Sequence, residues 1–180
     1  MIDLLVRHYI WWFIIPIIIT YILSLISQQI TRWAMQQTSY AIIAIIGFFG
    51  IVIHELSHLI IAILFHHNIT DFKLWQISND GVLGYVNHTY NKNSFYQRFG
   101  NVFIGLAPIF GLGLAVYSLT LFMYPPLLSW RLLVVICLMI SFVFGFNLSR
   151  ADWINFWYGV PFYLIIIFIV TIIQMLLKKD

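Results

Sequence analysis

Glutamate occurs once in this 180-residue chain, at Glu55, and aspartate five times. Charged residues of both signs amount to 8% of the chain, where soluble domains carry about 25%. So few charges exclude an ordinary water-facing surface. Cysteine is as scarce as glutamate: Cys137 stands alone in an apolar segment. That excludes a disulfide framework and a Cys-based zinc site, and leaves Cys137 a packing role. Basic residues are not clustered either, Lys178-Lys179 being the only adjacent pair. A net charge of +3 and a pI near 9.1 therefore fit Lys and Arg at membrane edges, with no nucleic-acid partner.

What is abundant is apolar: 62% of residues, with a mean hydropathy of +0.96. This composition predicts an integral, multi-pass membrane protein, with the lipid bilayer as its surroundings and residues 1–180 as a single domain. The expected fold is all-α and polytopic, with about five transmembrane helices and a short β-hairpin between the second and third. The first span is Tyr9 to Ile26, anchored by Trp11 and Trp12 and retained, since no cleavage pattern follows it. Ser27 to Ser39 reads as a polar connection. Ala41 to Phe65 is the second span, about 37 Å as helix, with Gly47 and Gly50 allowing a neighbour close. In the long polar stretch His66 to Gly100, Phe72–Ile77 and Val82–Val86 are β-prone runs flanking Ser78-Asn79-Asp80-Gly81, a hairpin turn signal. They read equally as a surface hairpin or as a strand edge beside whatever site the spans enclose. Val102–Tyr124, Leu132–Phe146 and Phe162–Leu177 complete the spans, with a break at Tyr124-Pro125-Pro126. Pro108 lies within the third, where neighbours must satisfy the backbone groups it frees.

The sole Glu falls inside His54-Glu55-Leu56-Ser57-His58, an H-E-x-x-H sequence within the second span. On a helix, residues four apart share a face, so both imidazoles can address one ion. Glu55 is then next to the first ligand, within reach of a water, as a general base must be. Ionisable groups at membrane depth are costly and mark functional sites, so zinc is the expected cofactor. Its position is about 10 Å inside the Phe65 end of the helix.

A third ligand is required. No second Glu exists, and Ile61 and Leu64 stand where a longer metzincin motif needs Gly and His. The remaining candidates are Asp71, Asp80, Asp152, His66, His67 and His88. His66 and His67 are ordinary at a span edge, and Asp80 belongs to the turn. Asp152 follows an apolar span, on the same side as His58 if crossings alternate, and no turn chemistry accounts for it. That side carries Arg7, Lys73, Lys92, Arg98 and Arg150. The other carries Arg32, Arg131, Lys178 and Lys179. Five basic residues against four put the active site towards the cytoplasm.

These residues resemble the site-2 protease family of intramembrane zinc metalloproteases. His54-Glu55-Leu56-Ser57-His58, followed by Ala62, looks like that family's first motif, and Gly105 to Pro108 is similar to a Gly/Pro segment of its intervening helix. The second family motif runs Asn, a nearby Pro, then Leu-Asp-Gly. Here Asn147 and Asp152 stand closer together, without the Pro and with Trp153 in place of Gly. The resemblance spans roughly residues 41–157, as a protease-like core, with 9–26 and 162–177 as peripheral helices. It implies His54, His58 and Asp152 as ligands of Zn²⁺, Glu55 as the catalytic base, and Asn147 with the hairpin as the holder of an extended substrate. The expected function is a metalloendopeptidase acting on membrane proteins or peptides. Alternatives are a zinc hydrolase of a lipid or lipidated peptide, and a non-enzymatic binding, transport or immunity protein.

Overall fold

The computed structural model describes residues 2–77, 81–122 and 130–177. α1 (Ile2–Tyr9), a π-helical stretch at Ile10–Ile14 and α2 (Ile15–Gln37) run on as one 36-residue helix. The irregularity has a cause in Pro16, which has no N–H to offer the Trp12 carbonyl one turn back. The Tyr163 hydroxyl donates to that carbonyl instead, at 2.9 Å.

The segment Ser27–Ser39, expected as a connection, is therefore helical through Gln37. Its polarity does not break the helix because the hydroxyls turn inward. Thr20, Ser24, Ser27 and Thr31 are the buried residues of α2. Thr31 Oγ1 donates to the Ser27 carbonyl at 2.8 Å and Ser27 Oγ to the Val143 carbonyl at 2.5 Å. Ser24 Oγ accepts the Leu148 N–H at 3.1 Å. Hydroxyls satisfied across a helix interface hold apolar helices together where burial alone gives no preference.

The second expected span, Ala41–Phe65, is broken. α3 (Tyr40–Ile46) and α4 (Phe48–Leu64) meet at a 72° bend. Gly47 sits at the corner with φ −77° and ψ 0°. The bend exposes carbonyls at the end of α3, and the Trp75 indole N–H caps that of Ala44 at 2.9 Å. At its other end α4 closes in a Schellman motif: His67 N–H bonds Ala62 C=O and His66 N–H bonds Ile63 C=O, both at 2.9 Å. His66 holds the left-handed position, φ 57°, that glycine usually takes there.

β1 (Asn68–Lys73) and β2 (Tyr85–Thr89) pair antiparallel, with Ile69 opposite His88 and Lys73 opposite Tyr85, and a bulge between Ile69 and Asp71. The strands lie further from the turn than Phe72–Ile77 and Val82–Val86, although Gln76 N–H still bonds the Leu83 carbonyl at 2.7 Å. Gly81 has the positive φ, 87°, of a turn residue. Ser78–Asp80 lie outside the described residues, as does Tyr124-Pro125-Pro126. Gln97 clamps the sheet's base to the next helix: its Nε2 donates to His66 C=O at 2.7 Å and its Oε1 accepts the Asn91 N–H at 2.6 Å.

α5 (Phe95–Phe122), α6 (Trp130–Gly145) and α7 (Arg150–Leu177) follow. α5 and α7 begin well before the expected Val102 and Phe162. Backbones cross at glycines. A Cβ on Gly50 would strike the Ser141 carbonyl, one on Gly145 the Gly50 carbonyl, and one on Gly105 or Gly159 would crowd α7 or α5 respectively. The core between α5 and α7 is Val102, Leu106, Leu148, Phe156 and Val160.

Among the described residues, three helices are long and apolar enough to cross a membrane: Ile2–Gln37, Phe95–Phe122 and Arg150–Leu177. The bent α3–α4 pair makes a fourth if counted as one span, while α6, at 16 residues, falls short of the length required. The described residues thus supply three of the expected five spans, or four with the bent pair. Only 17% of the most apolar window of α7 is buried inside the protein, so its apolar side chains face outward, as lipid permits and water does not.

Candidate metal centre

Each of the three expected ligands is aimed by an irregularity at or within a helix. His54 and His58 lie one turn apart on α4, buried, with 8% and 5% of their surface exposed. His54 Nδ1 lies 2.6 Å from the Gly145 carbonyl and His58 Nδ1 lies 2.8 Å from the Ile104 carbonyl. A carbonyl only accepts, so both Nδ1 atoms carry the proton and both Nε2 lone pairs are bare. The acceptors are available for physical reasons. Gly145 closes α6, where the last carbonyls have no partner in their own helix. Ile104 lies four residues before Pro108, which has no N–H to bond it. The neighbour expected to satisfy what Pro108 frees is His58 itself.

Asp152 arrives from the first turn of α7. Ser149 N–H donates to Asp152 Oδ2 at 2.6 Å and Asp152 N–H donates to Ser149 Oγ at 3.2 Å. This reciprocal pair is a capping box, with Asp in the place more often held by Glu. It fixes the carboxylate, which faces the histidines rather than Arg150. Asp152 Oδ1 is 3.0 Å from His58 Nε2, Oδ2 is 3.7 Å from His54 Nε2, and the two Nε2 atoms are 3.2 Å apart. Four-coordinate zinc with bonds of 2.0–2.1 Å requires ligand atoms about 3.3 Å apart. The three distances bracket that value, so the donor set fits a small divalent ion. Two bare lone pairs this close repel unless a cation or a proton lies between them. Second-partner hydrogen bonds of this kind fix tautomer and orientation in metal sites.

Glu55 is buried beside this cluster with 9% of its surface exposed. It lines both spaces that meet there. One is a cavity of about 150 Å³ shared with His54, His58, Asp152, His88 and Asn155. The other is a cleft of about 300 Å³ bounded by α2, the 81–84 segment and the end of α6, where Asn147 lies. Gly84 passes over Glu55 so closely that a Cβ would come within 2.7 Å of its Cγ. The hairpin is therefore laid back along α4 beside the cluster, the second of the two placements its sequence allowed.

None of the other described candidates belongs to this cluster. Asp71 accepts the Tyr85 hydroxyl at 2.7 Å on the exposed face of the sheet. His66 ends α4, and Asp80 lies outside the described residues. His67 and His88 bond each other through Nδ1 at 3.0 Å. Burial holds both below the usual imidazole range, His88 at about 4, with His67 and then His58 adding to the effect. Sequence reading missed the supporting groups: the Gly145 and Ile104 carbonyls, Gly84 and Ser149. Ser149-x-x-Asp152 was readable as a cap signature, whereas a backbone carbonyl leaves no trace in a sequence. Comparison of the chain with protein-family models, with curated proteins and with solved structures finds no match, so its function is argued from this site.

Proposed function

We propose that the chain is a zinc-dependent endopeptidase that cleaves membrane-associated proteins or peptides, as the resemblance to site-2 proteases implied. The observation that carries this is the convergence of two bare Nε2 atoms and one carboxylate with a single glutamate beside them. His54, His58 and Asp152 hold the ion; zinc in such a site acidifies water and polarises a carbonyl. Glu55 takes a proton from the attacking water and returns it to the departing nitrogen. Asn147, on the wall of the cleft, holds substrate backbone. The backbone at Leu83–Gly84, bonded to Gln76 on one side and passing over Glu55 on the other, favours a peptide over a lipid, because main-chain groups there can meet those of another chain. A helical substrate unwinds to enter, since its amides are otherwise shielded by their own hydrogen bonds.

Glu55→Gln tests the reading. Turnover of a membrane peptide by purified, zinc-loaded protein falls by about 10²–10⁴-fold, while zinc stays at one per chain. A zinc-loaded Glu55→Gln variant that still cleaves overturns the assignment. A carrier or purely structural site has no need of this carboxylate.

A further inference from the structure

One set of polar groups beside the metal centre has no part in holding the ion: His67, His88 and Asn155. Their hydrogen bonds form a chain whose direction is fixed from one end. His67 Nε2 lies 2.9 Å from the Gln97 carbonyl, which only accepts, so His67 carries its proton on Nε2 and Nδ1 is bare. His88 Nδ1, 3.0 Å away, must then be the donor, which leaves His88 Nε2 bare. Asn155 meets that lone pair at 3.4 Å and must present its NH₂ group. One N–H of that amide is used; the other remains. Asn155 lies three residues after Asp152 on α7, on the same helix face, and lines the same 150 Å³ cavity as the three ligands and Glu55.

We infer that the second N–H of Asn155 is an oxyanion donor for the carbonyl of the bond being cleaved, and that His88, backed by His67, is the positioning residue that aims it. This rests on the endopeptidase reading. As water adds to the carbonyl carbon, a C–O bond forms and the carbonyl π pair moves onto oxygen. When that pair returns, the C–N bond breaks and the nitrogen takes the proton carried by Glu55. Asn155 donates a hydrogen bond throughout and loses no proton. An amide suits the place, since it stabilises developing negative charge without bringing a cation beside the ion. Such a donor must be aimed in advance to act, and the chain to Gln97 does the aiming. That explains a buried His67 and a half-buried His88 at the base of a hairpin that hydrogen bonds of its own strands already hold.

The test uses a phosphinic dipeptide, whose tetrahedral P(O)O⁻ group replaces the scissile amide, titrated calorimetrically into full-length, zinc-loaded protein in detergent. Asn155→Leu weakens its binding about tenfold or more with zinc unchanged at one per chain. His88→Leu causes the same loss. His88→Gln restores most of it, because its Oε1 accepts from Asn155 while its Nε2 donates to His67. A merely structural role predicts no such rescue. Wild-type affinity in a zinc-loaded Asn155→Leu overturns the inference and leaves the endopeptidase reading standing. Loss of zinc in Asn155→Leu makes the residue a structural support and also overturns it. A wild-type protein that takes zinc but not the phosphinate overturns both.

Discussion

Pro108 shows how a single residue acts on the site without being one of the candidate ligands. By removing one N–H it leaves the Ile104 carbonyl for His58, and so settles which imidazole nitrogen is free. Pro108→Ala returns an N–H that competes for that carbonyl. Zinc affinity, measured by competition with a chromophoric chelator, is expected to fall about 10–100-fold, the usual effect of losing a ligand's hydrogen-bond partner. An unchanged affinity would mean that packing alone orients His58. His66 is a second residue with a readable cost. A non-glycine residue at φ 57° is strained by about 1 kcal/mol or more. His66→Gly also loosens the unfolded chain, which offsets part of the gain. The net expectation is a denaturation midpoint equal to or modestly above wild type, by up to about 1 kcal/mol. A lower midpoint would show the imidazole itself to be stabilising.

Among the elements, the hairpin has the clearest solution behaviour. His88 is held at about 4 in the folded protein, by burial first and by His67 and His58 after it, and burial lowers His67 as well. Unfolded, each titrates near 6.5. Between these limits the unfolded state binds more protons, so stability rises with pH through the window from 4 to 6.5. It is complete above about pH 6.5, is lost as pH falls, and loses no more below about 4. Amide exchange in Asn68–Lys73 and Tyr85–Thr89, corrected for its intrinsic pH dependence, is therefore faster at pH 5 than at pH 7. Equal corrected rates would mean that the pair is solvated. The hairpin was legible as an element because Asp80-Gly81 separates two β-prone runs. Its offset strands and its position were not, since Trp75 and Gly84 meet partners on α3 and α4 that are distant in the chain. The straight second span failed for a related reason: the seven residues of α3 before Gly47 and the seventeen of α4 after it, mostly apolar, read as one run whether or not the axis turns.

At the scale of the whole molecule, α4, α5, α6 and α7 all contribute to one point, so an ion bound there ties four helices together. An ion that binds only the folded protein stabilises it by about 2.7 kcal/mol at a concentration a hundred times its Kd. Thermal unfolding in detergent is expected to shift upward on adding zinc and back on adding a chelator. Asp152→Asn, which keeps the shape of the capping box, removes most of that shift. A zinc response that survives in Asp152→Asn points to another ligand set.

Composition by itself pointed to helices long and apolar enough to cross a membrane, because a chain so poor in charge has no ordinary water-facing surface. The 3.6-residue repeat by itself put His54 and His58 on one face with Glu55 between them. Neither says what those imidazoles point at. The third ligand was one of several candidates in the chain, and only packing, with glycines bringing α4 against α6 and α5 against α7, carried Asp152 to within 3.7 Å of both histidines. Periodicity is local and is written in neighbouring residues. Convergence of a turn, a helix end and a proline-freed carbonyl on one volume is a property of the folded chain alone.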